Sequence, residues 1–381
     1  MINFSFQNTT KLIFGEGSIA KLESEIPKGK KIMLTFGGGS VKQNGVYEQV
    51  QSALSKRHYI EFWGIEPNPK VETLRQAISL GKSKKIDFIL AVGGGSVLDG
   101  TKLIASAIPY SGDAWDLVLN PSFVQNIIPF ADVITLPATG SEMNAGAVIS
   151  NLATSEKYAF HATYPQFSIL DPTTIFSLPP YQVACGIADS FVHVMEQYLV
   201  DKNNSPLMDR WAEGILSTLI EIAPKVLENQ RDYDQASNFM LSATMALNGF
   251  ISMGNYSDWA THAIGHEITA LTGLTHGETL AIVQPALLRV MKREKRNKLL
   301  QFGERIWHIY GKSEERKIEL AIEQTENFYR SLSLKTKLSE HGVGDEVCSK
   351  IVKRFRERKT KLGENASINA TTIKKILDLC K

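Results

Sequence analysis

Residues 88–108 read FILAVGGGSVLDGTKLIASAI, and three textures meet in that stretch. Phe88 to Val92 is a short, wholly apolar run, the pattern of a strand covered on both faces. Gly93-Gly94-Gly95-Ser96 interrupts it, and from Val97 onward apolar residues recur at helical spacing. A strand, a glycine turn and a helix in that order predict a parallel sheet with crossover helices. The alternation continues outward. Upstream lie KKIMLTF (30–36), VYEQVQSALSK (46–56), YIEFW (59–63) and VETLRQAISLGKS (71–83); downstream lies the strand-like ADVITLP, Ala131 to Pro137. The segment AGAVISNLATSEKYAFHA (145–162) reads as a hairpin closed by a polar Ala-Thr-Ser-Glu turn.

After Pro179 and Pro180 the texture changes. MDRWAEGILSTLIEIAPKVLE (208–228), FMLSATMALNGFISM (239–253) and RKIELAIEQTENFYRSL (316–332) carry apolar residues at three- and four-residue intervals. Neither a helix nor a central strand continues easily through a double proline. The expectation is an α/β domain over residues 1–178 followed by an all-α domain over residues 179–381. With 381 residues, 43% of them hydrophobic, the chain is long enough for two cores.

The charge balance, 42 basic against 40 acidic side chains for a net +2, argues against a nucleic-acid binder, which needs a concentrated basic surface. The basic runs Lys292 to Lys298 and Lys353 to Lys361 are broken by other residues and read as solvated helix faces. No apolar stretch approaches the roughly 20 residues of a membrane helix, and MINFSFQNTTK lacks the order of a secretion signal, so a cytoplasmic protein is expected. Cys185, Cys348 and Cys380 are far apart and show no CxxC spacing, which fits reduced thiols rather than disulfides or a zinc knuckle.

Two turns share the sequence Gly-Gly-Gly-Ser: Gly37, Gly38, Gly39 and Ser40 after one strand, and Gly93, Gly94, Gly95 and Ser96 after another. A glycine turn lets backbone approach an anion, and a helix N-terminus behind it offers unpaired N–H groups, so the second turn is the better pyrophosphate cradle. Ala138-Thr139-Gly140-Ser141-Glu142 follows a third strand and suits either phosphate and ribose contacts or helix capping. The helical half carries a sharper pattern. Asp189 and His193 stand four residues apart, as do His262 and His266, and His276 follows in GLTHGETLA. On an unbroken helix His262 and His276 would lie about 21 Å apart at 1.5 Å per residue, so a shared ion requires a break at Thr272-Gly273. One carboxylate and three imidazoles suit a borderline divalent ion such as Zn²⁺, Fe²⁺, Co²⁺ or Ni²⁺.

Taken together, GGGSVLDGTK, TLPATGSEMN, ADSFVH, THAIGH and the final His-Gly resemble the iron-activated (group III) alcohol dehydrogenases, in the NADPH-dependent butanol dehydrogenase and aldehyde reductase branch. The resemblance also takes in an opening strand pair around TKLIFGEGS and spans nearly the whole chain, the last hundred or so residues in helical texture alone. It implies a Rossmann-like dinucleotide-binding domain followed by a helical metal-binding domain, the fold shared with dehydroquinate synthase. It implies metal ligands at Asp189, His193, His262 and His276, with iron or zinc as the ion. The cofactor would be held by Gly37–Ser40, by Gly93, Gly94, Gly95 and Ser96 with Asp99 behind them, and by Thr135, Leu136, Thr139, Ser141 and Lys157. Relatives that prefer NAD carry an acid in the first glycine turn; here Gly38 or Gly39 takes that place, with Ser40 and Lys42 following, which implies NADP(H) over NAD(H). His266 becomes the candidate catalytic proton relay.

A homodimer, and a small aldehyde or alcohol bound in a cleft near Asn144, Phe160, Phe250 and Trp259, complete the expectation. A dehydroquinate synthase-like or glycerol-phosphate dehydrogenase-like enzyme would need basic residues for an anionic substrate, which are not apparent near the histidines. A non-catalytic relative is disfavoured by the complete ligand set.

Overall fold

The computed structural model describes all 381 residues. The chain divides into two compact units, one made of residues 7–179 with 230–244, the other of residues 1–6, 180–229 and 245–381.

The first unit is built on a six-stranded parallel sheet. Its strands are β1 (Lys11–Phe14), β2 (Ile32–Phe36), β3 (Tyr59–Phe62), β4 (Phe88–Gly94), β5 (Phe130–Leu136) and, after a separate hairpin of β6 (Gly146–Asn151) and β7 (Glu156–His161), β8 (Phe167–Leu170). The spatial order is β1-β8-β5-β4-β2-β3. Helices α1 (Leu22–Glu25), α2 (Val46–Ala53), α3 (Val71–Lys84), α4 (Gly95–Ala107) and α5 (Ala114–Leu119) fill the connections. Alternation along β2 shows how the sheet is covered. Ile32, Leu34 and Phe36 join a buried cluster with Val46, Val50, Leu90, Val92 and Val133. Thr35 takes part in a different layer, meeting Thr101 of α4 at 2.7 Å between hydroxyls.

Counted from β2, the strand order is 2-1-3-4-5, the doubly wound arrangement whose direction of winding reverses between β2 and β4. Ligands of open α/β sheets bind beyond the carboxyl ends of the strands flanking such a reversal. Both Gly-Gly-Gly-Ser turns lie there. The expected hairpin at 145–162 is present as β6 and β7. The expected opening strand pair is not: TKLIFGEGS forms one strand, β1, parallel to β8, because Gly15 and Gly17 take positive φ and turn the chain into a short 3-10 helix.

The second unit is helical, with α6 (Pro180–Tyr198), α7 (Pro206–Glu228), α9 (Ala260–Thr272), α10 (His276–Met291), α11 (Arg296–Arg305), α12 (Glu314–Ser331), α13 (Asp345–Glu357) and α14 (Ala370–Leu379). No helix is long and apolar enough to cross a membrane. Helix α8 (Tyr233–Ala246) lies mostly with the sheet, a departure from a clean division after residue 178. The Tyr233 hydroxyl accepts from Glu16 N–H, and Thr244 donates to Glu142 Oε1 at 2.5 Å, so its polar ends are satisfied in the first unit. Conversely, Ile2 N–H donates to Gly254 O and ties the first residues to the second unit.

Candidate functional site

Helix α6 is buried almost throughout, so polar residues on it need partners from neighbouring helices. Asp189, His193 and Glu196 recur at intervals of four and three and therefore share a face. The break expected after Thr272 is real: Gly273 closes α9 in a left-handed conformation, φ 75°, and α10 starts at His276. Gly277 then allows α10 to press on α6, since a Cβ there would lie 2.3 Å from the Cys185 carbonyl oxygen. The close approach carries His276 to Asp189.

Asp189 Oδ1 is the centre of the set. It lies 3.5 Å from His193 Nε2, 3.6 Å from His262 Nε2 and 4.0 Å from His276 Nε2. Ligand atoms of Asp189, His262 and His276 fall within 4.8 Å of one another; His193, outside that mutual set, stacks on His262 with ring centroids 4.6 Å apart. Ligands held about 2.0–2.2 Å from one tetrahedral ion are separated by about 3.3–3.6 Å. The Asp189 distances to His193 and His262 fall in that range, and the distance to His276 is 4.0 Å. His262 Nε2 is also buried without a hydrogen bond, which is costly unless something else, such as a cation, satisfies it. Three imidazoles and one carboxylate thus fit a divalent ion, and these four residues could hold it.

Glu196 supports the group and was not singled out by the sequence. Its carboxylate accepts from Thr261 N–H at 2.5 Å and from the ring Nδ1 of His262, and so sits at the positive N-terminal end of α9 while fixing the tautomer that presents Nε2 to Asp189. Burial opposes charge on His262, yet Glu196 and Asp189 prevail and raise its pKa to about 9 in the ion-free protein. The same negative field attracts a metal cation. Trp259, held at φ 60° just before α9, sets its ring 5.4 Å from His262. His266 lies half-buried against His276, ring centroids 4.8 Å apart.

In the first unit the two glycine turns flank Val97: a Cβ on Gly37 would be 3.5 Å from Val97 Cγ2 and one on Gly93 2.6 Å. Gly95 opens α4 with Thr139 pressed over it, leaving no room for a side chain. Thr135 and Leu136 end β5, beside β4. Lys157, on β7, donates to Asn68 Oδ1 at 2.8 Å, and Asn68 N–H donates to Ser96 Oγ at 3.2 Å. Lys157 and Ser96 are therefore joined through a residue the sequence did not mark. Its only signal was Asn-Pro in EPNPK, a turn dipeptide whose asparagine tolerates the φ of 56° found there.

Some expected positions stand behind the turn rather than on it. Ser141 is buried and donates to Asp99 Oδ1 at 2.7 Å, while Asp99 Oδ2 accepts from Val148 N–H at 2.9 Å. Burial raises the Asp99 pKa. Lys42 sets its ammonium 4.0 Å from the centroid of the Trp63 ring, which holds it beside the first turn. Of the four residues expected around the substrate, Trp259 adjoins the histidines. Phe160 is buried on the hairpin, Phe250 stacks on Trp211 at 4.5 Å, and Asn144 donates to the backbone of Thr139 and Gly140.

Comparison with known proteins agrees in both halves of the chain. The family described as iron-containing alcohol dehydrogenase matches residues 9–172, and the C-terminal part of the Fe-containing alcohol dehydrogenase family matches residues 183–380. The chain is 46% identical over 387 residues to the NADPH-dependent aldehyde reductase YqhD of Escherichia coli, covering the whole of both. It is 39% identical over 384 residues to the probable NADH-dependent butanol dehydrogenase 1 of Bacillus subtilis, covering 99% of each. Among solved structures, it superposes on NADH-dependent butanol dehydrogenase A of Thermotoga maritima with a TM-score of 0.95 at 34% identity, covering 100% of this chain and 99% of that one.

Proposed function

The chain belongs to the iron-containing alcohol dehydrogenase family, and on that premise we propose that it is a metal-dependent aldehyde reductase and alcohol dehydrogenase that uses NADP(H) and small primary substrates of the butanal and butanol type. The observation that carries this reading is the meeting of Asp189 with His193, His262 and His276 around one carboxylate oxygen. In the reductive direction an aldehyde, NADPH and a proton give a primary alcohol and NADP⁺. When bound, the divalent ion, iron or zinc, supplies a Lewis acid for the carbonyl oxygen, and the reduced nicotinamide supplies the hydride.

The protein's own groups supply position and the proton path. Asp189, His193, His262 and His276 hold the ion; Glu196 keeps His262 in the ligating tautomer. Gly93, Gly94, Gly95 and Ser96 receive the pyrophosphate at the N-terminus of α4, and Lys157 with Asn68 borders that turn. His266 packs against His276, and that nearness supports giving it the role of passing a proton to the reduced oxygen. His266→Asn should lower kcat by about tenfold to a hundredfold and flatten its pH profile, with the metal retained. Unchanged activity and an unchanged profile would remove His266 from the mechanism.

Relatives differ in the cofactor their names carry, so the choice rests on local residues. Gly38 is exposed, and a Cβ added there would meet nothing within 4 Å. The missing acid at Gly38 is therefore no steric necessity, and its absence leaves room for a 2′-phosphate beside Ser40. With butanal, kcat/KM for NADPH should exceed that for NADH; an NADH preference of about tenfold, equivalent to about 1.4 kcal/mol, would reject the assignment. Gly38→Asp should reverse the order, lowering kcat/KM for NADPH by about tenfold or more through repulsion of the phosphate.

A homodimer is the proposed assembly. Met1, Ile2, Phe4, Phe6 and Phe250 are exposed apolar residues of the second unit, with Phe6 and Phe250 in edge contact at 5.8 Å. A small aldehyde or alcohol is the proposed partner molecule, and the cytoplasm, where free thiols such as Cys185, Cys348 and Cys380 persist, the proposed location.

A further inference from the structure

Lys102 is among the largest side chains wholly removed from solvent. It stands on α4, three residues beyond Asp99. Its ammonium lies within hydrogen-bond distance of four oxygens of one short segment: Ser141 O at 2.8 Å, Ser141 Oγ at 2.7 Å, Asn144 Oδ1 at 3.1 Å and Gly146 O at 2.7 Å. Asp99 grips the same segment through Ser141 Oγ and Val148 N–H. Helix α4 thus carries a cation and an anion about one turn apart, both directed at residues 141–148.

The consequence reaches the glycine turn. Asn144 donates to Thr139 O at 3.2 Å and to Gly140 O at 2.8 Å, and Thr139 Oγ1 accepts from Ser141 N–H at 3.2 Å. Thr139 is the residue that lies over Gly95. A continuous set of hydrogen bonds therefore runs from the Lys102 ammonium to the atoms covering the start of α4. Such a buried cation is expensive to desolvate, and burial pulls its pKa down to about 8 against the opposing charges of Asp99, Asp132 and Glu142.

We propose that Lys102 is a positioning residue for the nicotinamide cofactor, fixing residues 139–146 against the Gly93–Ser96 turn without touching the cofactor itself. The proposal rests on the cofactor assignment of the glycine turns made above.

The test uses the full-length protein and NADPH, with binding followed by tryptophan fluorescence or calorimetry. Lys102→Met should raise the Kd for NADPH about tenfold or more, while kcat with saturating NADPH and butanal changes by less than about threefold. Lys102→Met combined with Ser141→Ala should bind NADPH about as well as Lys102→Met alone, because both changes interrupt one path. Lys102→Arg should recover part of the affinity. If Lys102→Met does not fold, Asn144→Ala interrupts the same path from the loop side and should weaken NADPH binding in the same way. Wild-type-like affinity in the folded variant, or strictly additive effects in the double variant, would overturn the proposal. Wild-type protein that fails to bind NADPH would instead reject the cofactor assignment itself.

Discussion

Replacing His276 by alanine is expected to lower kcat/KM for butanal by about a thousandfold and to strip most of the metal, because it removes a proposed ligand of an ion that would contribute several kcal/mol to the reaction. His276 is the suitable member of the set to remove. Its side chain is 20% exposed, whereas those of Asp189 and His193 are each 5% exposed. Truncation there admits water to the gap rather than stranding a deeply buried charge, so the loss of stability should be modest. His276 also belongs to the helical unit, whereas the glycine turns belong to the sheet unit. NADPH affinity should change by less than about threefold, well under the effect of one lost hydrogen bond to a charged group, because no residue of the proposed pyrophosphate site is altered. Elemental analysis, NADPH titration and butanal kinetics on the same preparation separate these three quantities. Full metal content with full activity would remove His276 from the ligand set.

The second large effect is expected at Gly95. A Cβ at this position would stand 2.3 Å from Thr139 Oγ1 and 2.6 Å from its Cγ2. Gly95→Ala must therefore push Thr139 and the start of α4 apart, a strain of about 1–3 kcal/mol by the usual cost of overpacking. The displaced atoms include the first backbone N–H groups of α4, which are the proposed pyrophosphate donors. Calorimetric titration should show the Kd for NADPH rising about thirtyfold or more, with metal content unchanged. Gly95→Ala with Thr139→Ala removes the two closest clashes but leaves the Thr139 Cβ at 3.0 Å, so it should regain part of the binding and part of the thermal stability. Unaltered NADPH affinity in Gly95→Ala would place the pyrophosphate elsewhere.

What the residues revealed in advance depended on how local each signal was. Asp189 with His193 and His262 with His266 declare themselves because a helix brings i and i+4 together, and Gly273 announces the break that returns His276. The glycine runs declare themselves because the first directly follows the apolar strand β2 and the second ends the apolar strand β4 and opens α4. Glu196 does not, although it shares a helix face with Asp189 and His193. Its role exists only where α9 begins against α6, and its partner His262 is 66 positions away. Asn68 and Lys157, 89 positions apart, meet through the packing of β7 on the loop after β3, which no short pattern encodes. Lys102 looked like any helical lysine until its burial was known. The stretch 239–253 is helical only as far as Ala246, residues 247–253 leaving the helix in turns and bends, and helical texture cannot say on which unit α8 packs; Tyr233 and Thr244 decide that by their partners beside the sheet. Phe160 shows the converse error: nearness in sequence to a motif placed it at a substrate mouth, whereas it occupies a buried position of β7.

On the proposed reading, an ion held by Asp189, His193, His262 and His276 is what makes this chain an NADPH-linked aldehyde reductase. The most direct measurement follows NADPH absorbance with butanal on one preparation as purified, after removal of metal by chelation, and after restoration with iron or zinc. Oxidation of NADPH that disappears with the metal and returns with it, in proportion to the ion bound, is the predicted result. Oxidation that persists undiminished in the metal-free protein, or none with any aldehyde after either metal is restored, would contradict it.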